Sequence, residues 1–467
     1  MWSYKQGVRF VLPVLTGLLL SVPSFADSQV RMVRLSDVEG AVQIDRNTGQ
    51  GFEKASVNLP ITEGVTLRTG HDGFAAVEFE DGSSLRMTPG TVAVFTELKL
   101  RDSGARASVA NLRQGMAYVN YMGTKNEEFS IVFGSQTLKL DKAAHLRLEI
   151  GATEAAVAVF KGELHVDSPS GVVELGKKQT GTFYLNDQGP HTLAKNVEDN
   201  SYDDWDKQQE QYAERYAKNS PLSNSPYSYG VSDLSYYGNF FNVAGYGMMW
   251  QPYFAGGGWD PFMNGVWAFY PGMGYGWASA YPWGWLPYHY GSWMYLPSYG
   301  WAWQPGGAWM GVINTPRPVN APAGFRPPVV PTAPSRSLIA VGRGPVVPMG
   351  ATSAQRLIIR NNSAGLGIPR GSIRNLNRMS QEAGQHGFAT ARVQPQATNP
   401  VMYRTMVPRN APNTMAVPNS SGRAGSARGN AAPRYSPPPS SPSYAPMAAP
   451  PMRSAPVGAA SGNNGRR

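Results

Sequence analysis

The sequence predicts an all-β protein: a β-sandwich, roll or solenoid over residues 27–190, then a short helix, a small aromatic β-repeat region and a disordered C-terminal tail. Three observations predict it. Turn signals recur at short-strand spacing, at Glu39-Gly40, Glu63-Gly64, Asp72-Gly73, Asp81-Gly82, Pro89-Gly90, Lys161-Gly162 and Leu175-Gly176. Ten of the twelve Trp fall between Trp250 and Trp309. From Gly311 onward Pro, Ala, Ser, Asn, Gly and Arg dominate, a composition that cannot bury enough apolar surface to offset chain entropy.

The first element is residues 1–26. Lys5 and Arg9 precede an apolar run from Phe10 to Val22, and Ser24 and Ala26 follow at small-residue positions, the three-part pattern of a secretory signal peptide cleaved after Ala26. The run contains Pro13 and is shorter than the roughly 20 residues that span a bilayer. No later segment forms an uninterrupted apolar span, so the expectation is an exported chain, periplasmic or extracellular and associated with the cell envelope, with no transmembrane span after cleavage. Absence of Cys removes disulfides, thiolate nucleophiles and Cys-ligated metals. Charge is segregated: residues 311–467 hold 18 Arg, no Lys and one acidic residue, Glu382, a net of +17, whereas residues 27–310 hold 21 basic against 30 acidic residues, a net of −9.

Residues 27–190 read as short strands. In FAAVEFE, Ala75, Val77 and Phe79 fall on one face and Glu78 and Glu80 on the other, the period of two that buries one side of a strand. Leu85-Met87, Val92–Phe95, Phe129-Ile131-Phe133, Leu146-Leu148-Ile150, Val157-Val159 and Leu164-Val166 continue the pattern. The runs VRLSDVEGAVQIDR, VNLPITEGVTLRTGHDGFAAVEFEDGSSLRMTPGTVAVF, AVAVFKGELHVD and ELGKKQTG resemble the FecR domain of bacterial envelope proteins, most specifically in TEGVTLRTGHDGFAAVEFEDGSSLRMTPGT. The resemblance covers about a third of the chain and implies the fold and an envelope compartment. Founding members of that family relay a signal from an outer-membrane transporter and control a sigma factor through a cytoplasmic segment. With a signal peptide in place of such a segment, the expectation here excludes sigma-factor control within the same chain.

Chemistry finds little purchase. Glu78, Glu80 and Asp81 read as solvated carboxylates on an outer strand face, and His71, His145 and His165, without a partner at metal spacing, as surface histidines. No nucleophile elbow, zinc-binding His-Glu-x-x-His or phosphate loop is present. The expectation is therefore no catalytic residue, no metal, no cofactor and no enzyme.

Residues 198–219 predict a helical connector, with Asn200 or Ser201 as cap, Asp203, Asp204 and Asp206 in the first turn and Arg215 and Lys218 in the last, charges that suit the helix dipole. Trp205, Tyr212 and Tyr216 form one aromatic stripe, expected to dock on a neighbouring domain. Residues 226–310 hold a degenerate repeat. Trp259-x-Pro261-Phe262, Gly265, Trp267, Phe269 and Pro271 align at an offset of 26 with Trp285-x-Pro287-Tyr288, Gly291, Trp293, Tyr295 and Pro297. Tyr275-Gly276-Trp277 matches Tyr299-Gly300-Trp301 after a two-residue shift, and an earlier copy places Trp250 against Trp303. Each copy reads as a hairpin that must stack on its neighbours to bury its face. DLSYYGNF, WGWLPYHYGSW and YGWAWQPG resemble a Trp-, Tyr- and Gly-rich domain of unknown function that follows FecR-like domains in secreted bacterial proteins; the resemblance brings architecture and no catalytic residues.

The plain reading of these rings is a core. Ten Trp in so short a span nevertheless exceed what a small core encloses, so some rings are expected at the surface. Trp259, Trp267, Trp285, Trp293 and Trp301 are the candidate ligand-stacking residues, with envelope polysaccharide, peptidoglycan or an envelope protein as candidate partners. Between Pro221 and Met310 there is no Lys or Arg, which makes nucleic acid a poor partner. The basic tail, residues 311–467, is expected to adhere to anionic surfaces and to be removable with little effect on melting. Together these features predict a noncatalytic secreted cell-envelope binding and scaffold protein. The alternative is an envelope signalling or assembly module that binds a protein partner through the FecR-like domain.

Overall fold

The computed structural model describes residues 31–186, 191–218, 220–223, 229–311, 313, 318–342 and 356–393. The N-terminal segment read as a signal peptide lies outside them.

Alternating strands of the N-terminal region build two sheets over one core. The first runs, neighbour to neighbour, Pro60–Ile61, Val33–Glu39, Phe74–Glu78, Ser84–Met87, Arg106–Tyr121, Ala144–Ile150, Glu154–Lys161, Thr180–Tyr184 and Thr192–Ala194. The second runs Gly171–Gly176, Glu163–Ser168, Gln136–Leu140, Glu127–Phe133, Arg106–Tyr121, Val92–Leu100, Thr66–Thr69, Val42–Asp45 and Glu53–Lys54. The long strand Arg106–Tyr121 belongs to both. Its switch point is Gly115, at φ +81°, where a Cβ would lie 2.6 Å from the Thr91 Cα. Leu35, Val77, Leu85, Val119 and Leu146 of the first sheet meet Ile44, Leu67, Ile131, Leu138 and Val166 of the second, so of the three predicted architectures the structure is a sandwich with a shared strand.

Helix α1 (Asp203–Lys218) starts later than the predicted 198, because Asn200 N–H is taken by the Asp203 carboxylate at 2.8 Å in a turn ahead of the helix. Its stripe docks as expected. Trp205 meets Phe74 at 4.8 Å on the outer face of the first sheet, while Tyr212 and Tyr216 meet Tyr236 of α2 (Val231–Tyr237).

Three hairpins follow: Gly238–Val243 with Gly247–Pro252, Asn264–Tyr270 with Gly274–Ser279, and Ser292–Leu296 with Gly300–Gln304, the last preceded by the short α3 (Leu286–His289). Their cross-strand pairs Phe240–Trp250, Trp267–Trp277 and Trp293–Trp303 correspond. Trp277 is thus equivalent to Trp303 and not to Trp301; the offset of 26 runs through without a shift, because the two turns have equal length. One device recurs in each copy: the Trp of the second strand lies over a glycine in or immediately before the first. A Cβ would come within 2.3 Å of the Trp250 ring at Gly238, 2.4 Å of the Trp277 ring at Gly265 and 2.7 Å of Trp303 Nε1 at Gly291. Glycine permits this close approach, and the ring covers a backbone that would otherwise lack a side chain.

The first and third hairpins join through Trp250 and Trp303 into a four-stranded sheet, and the second pairs with strand Ile339–Gly342. That last strand overturns part of the expectation for residues 311–467. Residues 318–342 and 356–393 are structured: a hairpin, Arg356–Arg360 with Phe388–Arg392, carries α4 (Leu376–His386) between its strands. Ile359, Ile368, Ile373, Leu376 and Ala383 are buried in the aromatic cluster of the repeats. Average composition misled because these sparse apolar residues bury against rings from another part of the chain. Residues 394–467 lie outside the described residues.

Two measurements check this packing. Gly265→Ala should destabilise the protein by about 1–3 kcal/mol in denaturant unfolding, as overpacking beneath Trp277. Cutting the chain before residue 356 should lower Tm by at least about 5 °C relative to a chain cut after residue 393, since it strips a buried arginine, Arg370, from its carboxylate; equal melting would show that the 356–393 segment is not part of the fold.

Candidate functional site

The five predicted stacking residues are all interior. Trp259, Trp267, Trp285, Trp293 and Trp301 expose no more than 4% of their surface, so they offer no stacking platform. The reason is covering by other rings, some from the same hairpin or turn and others distant in sequence. Trp293 packs against Trp250, Trp259 and Trp283, Trp267 against Trp277, Trp285 against Tyr229 and His289, and Trp301 against Phe325 at 4.8 Å. At the centre is Trp283, which stacks on Tyr281 at 5.0 Å and donates its indole N–H to the Ala364 carbonyl at 2.7 Å. Edge-to-face contacts of this kind pair a positive ring edge with a negative face. No repeat position singles out Trp283 in the sequence.

The functional geometry that sequence reasoning missed is a seam of buried charge on the outer face of the first sheet. Alternation places Arg34, Glu78, Arg86, Tyr118, His145 and Arg147 on the face away from the core, where they read as solvated. The helices and the aromatic domain cover them. Arg34, fully buried, pairs with the fully buried Asp233 of α2 at 2.7 Å and with Glu78 at 3.0 Å, and donates to Asn58 Oδ1 and the Pro282 carbonyl. Asp233 also accepts from Arg370 Nη2 at 2.7 Å and from the Tyr212 hydroxyl at 2.9 Å. Arg370 reaches on to the Ser36 carbonyl at 2.6 Å. Further along, Asp206 of α1 is held by Arg86 and His145, and Asp203 by Arg147 and Tyr118. Burial alone would raise the Asp206 carboxyl, but Arg86 and His145 outweigh it and hold it below its ordinary value. His145 is thus buried, with Nε2 2.6 Å from the Asp206 carboxylate, correcting the surface reading; His71 is exposed and His165 half-buried. Glu78 and Glu80 are likewise tied, to Arg34 and Arg31, instead of being solvated.

The family model described as FecR protein matches residues 65–165, within the sandwich that this seam covers. The chain carries a FecR domain. A second family model, described as a family of unknown function (DUF6600), matches residues 231–328, from α2 through the three hairpins, so a DUF6600 domain follows the FecR domain. No curated protein matches the chain. Two crystal structures of a protein described as an anti-sigma factor from Parabacteroides distasonis are similar to part of it. One is 20% identical over 28% of this chain and 59% of that one, the other 18% over 34% and 70%, each with a TM-score of 0.25. The chain therefore spans 59% of the length of the first. FecR family proteins are envelope-associated, and among the described residues no helix is long and apolar enough to cross a membrane.

Where the first strand of the FecR domain bulges, a cleft of about 210 Å³ opens against the DUF6600 domain, lined by Asp37, Glu39, Tyr237, Pro282 and Arg370. Burial, then the neighbouring Asp37, pushes the Glu39 carboxyl up to about 8, against the pull of Arg370. Asp37 is raised too, chiefly by burial. A larger groove of about 690 Å³ on the FecR domain is lined by Lys142, Glu163, His165, Asp167 and Glu174. Its charges are largely matched locally, Lys142 with Glu163 and Lys139 with Asp167. Among the described residues no three His, Cys, Asp or Glu converge as a metal site.

Glu39 sets a pH dependence. The folded state holds its proton more tightly than the unfolded chain, so its stabilising contribution is complete below about pH 4.5 and is lost as pH rises towards 8. Buried His289, pushed down to about 3 by burial, acts with the opposite sign, costing stability as pH falls below its ordinary value of 6.5. Glu39→Gln should flatten the decline in Tm between about pH 4.5 and 8 and leave the slope below pH 4.5 unchanged; an unaltered slope in that window would remove Glu39 as its cause.

Proposed function

We propose that the chain is a noncatalytic binding and scaffold protein of the bacterial cell envelope, exported by its N-terminal segment to the periplasm or beyond. The seam carries this reading. Arg34, Asp233 and Arg370 bring the FecR domain, the DUF6600 domain and the 356–393 segment to one buried point, which favours a rigid unit over a relay of independent parts. Its titratable groups are consumed by one another, with no nucleophile beside a general base, and FecR relatives are non-enzymatic regulators. The eight Arg beyond residue 393, unaccompanied by acidic residues, suit salt-sensitive retention on an anionic surface.

A second reading has one observation in its favour. The edge strand Gly171–Gly176 of the FecR domain pairs on one side, with Glu163–Ser168, and exposes Val172, which offers an envelope protein a place to add a strand. In that version the chain is a signalling or assembly module without sigma-factor control of its own.

The rigid-unit reading is tested by calorimetry. One transition should report both domains, and Arg34→Met should lower it by about 3–5 kcal/mol by leaving Asp233 short of a partner. Two separate transitions in the wild type, or a chain retained in the cytoplasm on fractionation, would sink the proposal.

A further inference from the structure

The four-stranded sheet of the DUF6600 domain has two faces. One carries Trp250, Trp293 and Trp303 into the aromatic core; the other presents Asn239, Phe241, Met249, Gln251, Met294, Ala302 and Gln304. Its apolar members form a small cluster of their own, Met249, Leu296 and Ala302 with Phe241, Val243 and Met294 packed on it. In the second hairpin the equivalent face is docked: Ala268, Tyr270 and Ala278 belong to the core of the FecR sandwich, and the Tyr270 hydroxyl donates to the Pro60 carbonyl at 2.9 Å. In the first and third hairpins the same face is closed at its middle, where Met249, Leu296 and Ala302 are buried, and exposed at its rim. It bears the exposed rings that the ten Trp do not supply.

We propose that the exposed rim of this face, at Tyr246 and Tyr299, binds a neutral polysaccharide chain, an inference that rests on the binding-scaffold reading above and names its ligand class. Tyr299 stacks on Phe241 at 5.3 Å between ring centroids and 30° between planes, which fixes its ring while 49% of its surface stays open. Tyr246, 38% exposed, sits at the other end of strand Gly300–Gln304. The placement follows from two side-chain amides: Gln251 Nε2 donates to the Tyr299 carbonyl at 2.7 Å, and Gln304 Nε2 to the Tyr246 carbonyl. The strand between them spans about 13 Å at the usual rise, a length suited to several linked sugars. With their N–H groups engaged, both amides keep an oxygen for a ligand hydroxyl, and among the described residues neither tyrosine hydroxyl has a protein partner.

Charge selects the partner. None of the residues forming the face is charged, and of the two carboxylates between Pro221 and Met310, Asp233 is buried in the seam and Asp260 caps the turn at Phe262. An anionic polymer, nucleic acid or a charged protein surface would meet no countercharge here. Pyranose rings present flat C–H faces to aromatic rings and hydroxyls to amides, which is what the face offers. The Tyr299 ring is held before binding by Phe241, which lowers the ordering cost there.

The test is calorimetric titration of the full chain with neutral hexasaccharides of β-1,4-glucan, β-1,3-glucan and N-acetylglucosamine. Binding to at least one should survive about 0.5 M sodium chloride, which screens charge and not stacking. It should weaken at least about tenfold in Tyr246→Ala with Tyr299→Ala, and persist in Tyr299→Phe. Both tyrosines lie in exposed turns, and unchanged melting of the variants confirms that only the face was altered. No binding by the three sugars, or binding that the double alanine variant retains, overturns the proposal. If the chain still melts in one transition, that result leaves the scaffold reading standing; a two-step transition fails the scaffold reading itself.

Discussion

A fully buried arginine paired with a fully buried aspartate is the constraint on which the architecture depends. Arg34 and Asp233 are both out of contact with water, and removing two charges from water costs several kcal/mol per ion before any attraction is counted. The arrangement is tolerable because the donors and acceptors nearby are used with the exception of Arg370 Nε: Arg34 reaches Asn58, Glu78 and Pro282, and Asp233 takes Arg370 Nη2 and Tyr212. These partners come from a FecR strand, two helices, the DUF6600 domain and the 356–393 segment. None of these pieces satisfies the charges alone, so the pair specifies which surfaces must meet more than it adds to net stability.

The aromatic domain solves a different problem. Three similar hairpins are too small to enclose their own rings, and each covers a glycine with the Trp of its second strand. Trp250 of the first hairpin and Trp293 of the third then converge on Trp283, which belongs to no repeat position and donates to the Ala364 carbonyl. Aromatic inner faces of corresponding geometry are followed by unequal outer ones. Ala268 and Ala278 are small and fit against the sandwich, while Phe241, Met249 and Met294 are large and form a separate small cluster on their sheet face. Degeneracy of the repeat therefore has a physical meaning: conserved inward geometry builds the core, and divergence on the outer face decides what each hairpin touches.

For function, the consequence is a FecR domain with one sheet face occupied. The charges that alternation turns away from its core hold α1 and α2. What remains available is the edge strand of the second sheet, the cleft beside Glu39 and the exposed tyrosine rim of the first and third hairpins. Locking the domains together fixes the relative positions of these surfaces, which suits a scaffold that presents several contacts at once.

By itself the sequence determined the all-β class, the FecR block, the docking stripe of α1 and the existence of three hairpins, because period-two alternation, turn glycines and Trp spacing are local signals that survive any arrangement of the pieces. Helix register was likewise legible to within a few residues, since the capping carboxylates lie beside the turn they cap. Tertiary structure alone decided which faces are covered. Trp259, Trp267, Trp285, Trp293 and Trp301 look like a surface surplus until Tyr229, Phe325 and the 356–393 segment enclose them. Arg34, Arg86 and His145 look solvated until helices from 100 or more positions away bring their carboxylates, except that Asp206 stands 61 positions from His145. Burial is a property of what lies opposite, and pattern along a chain records only which residues share a face.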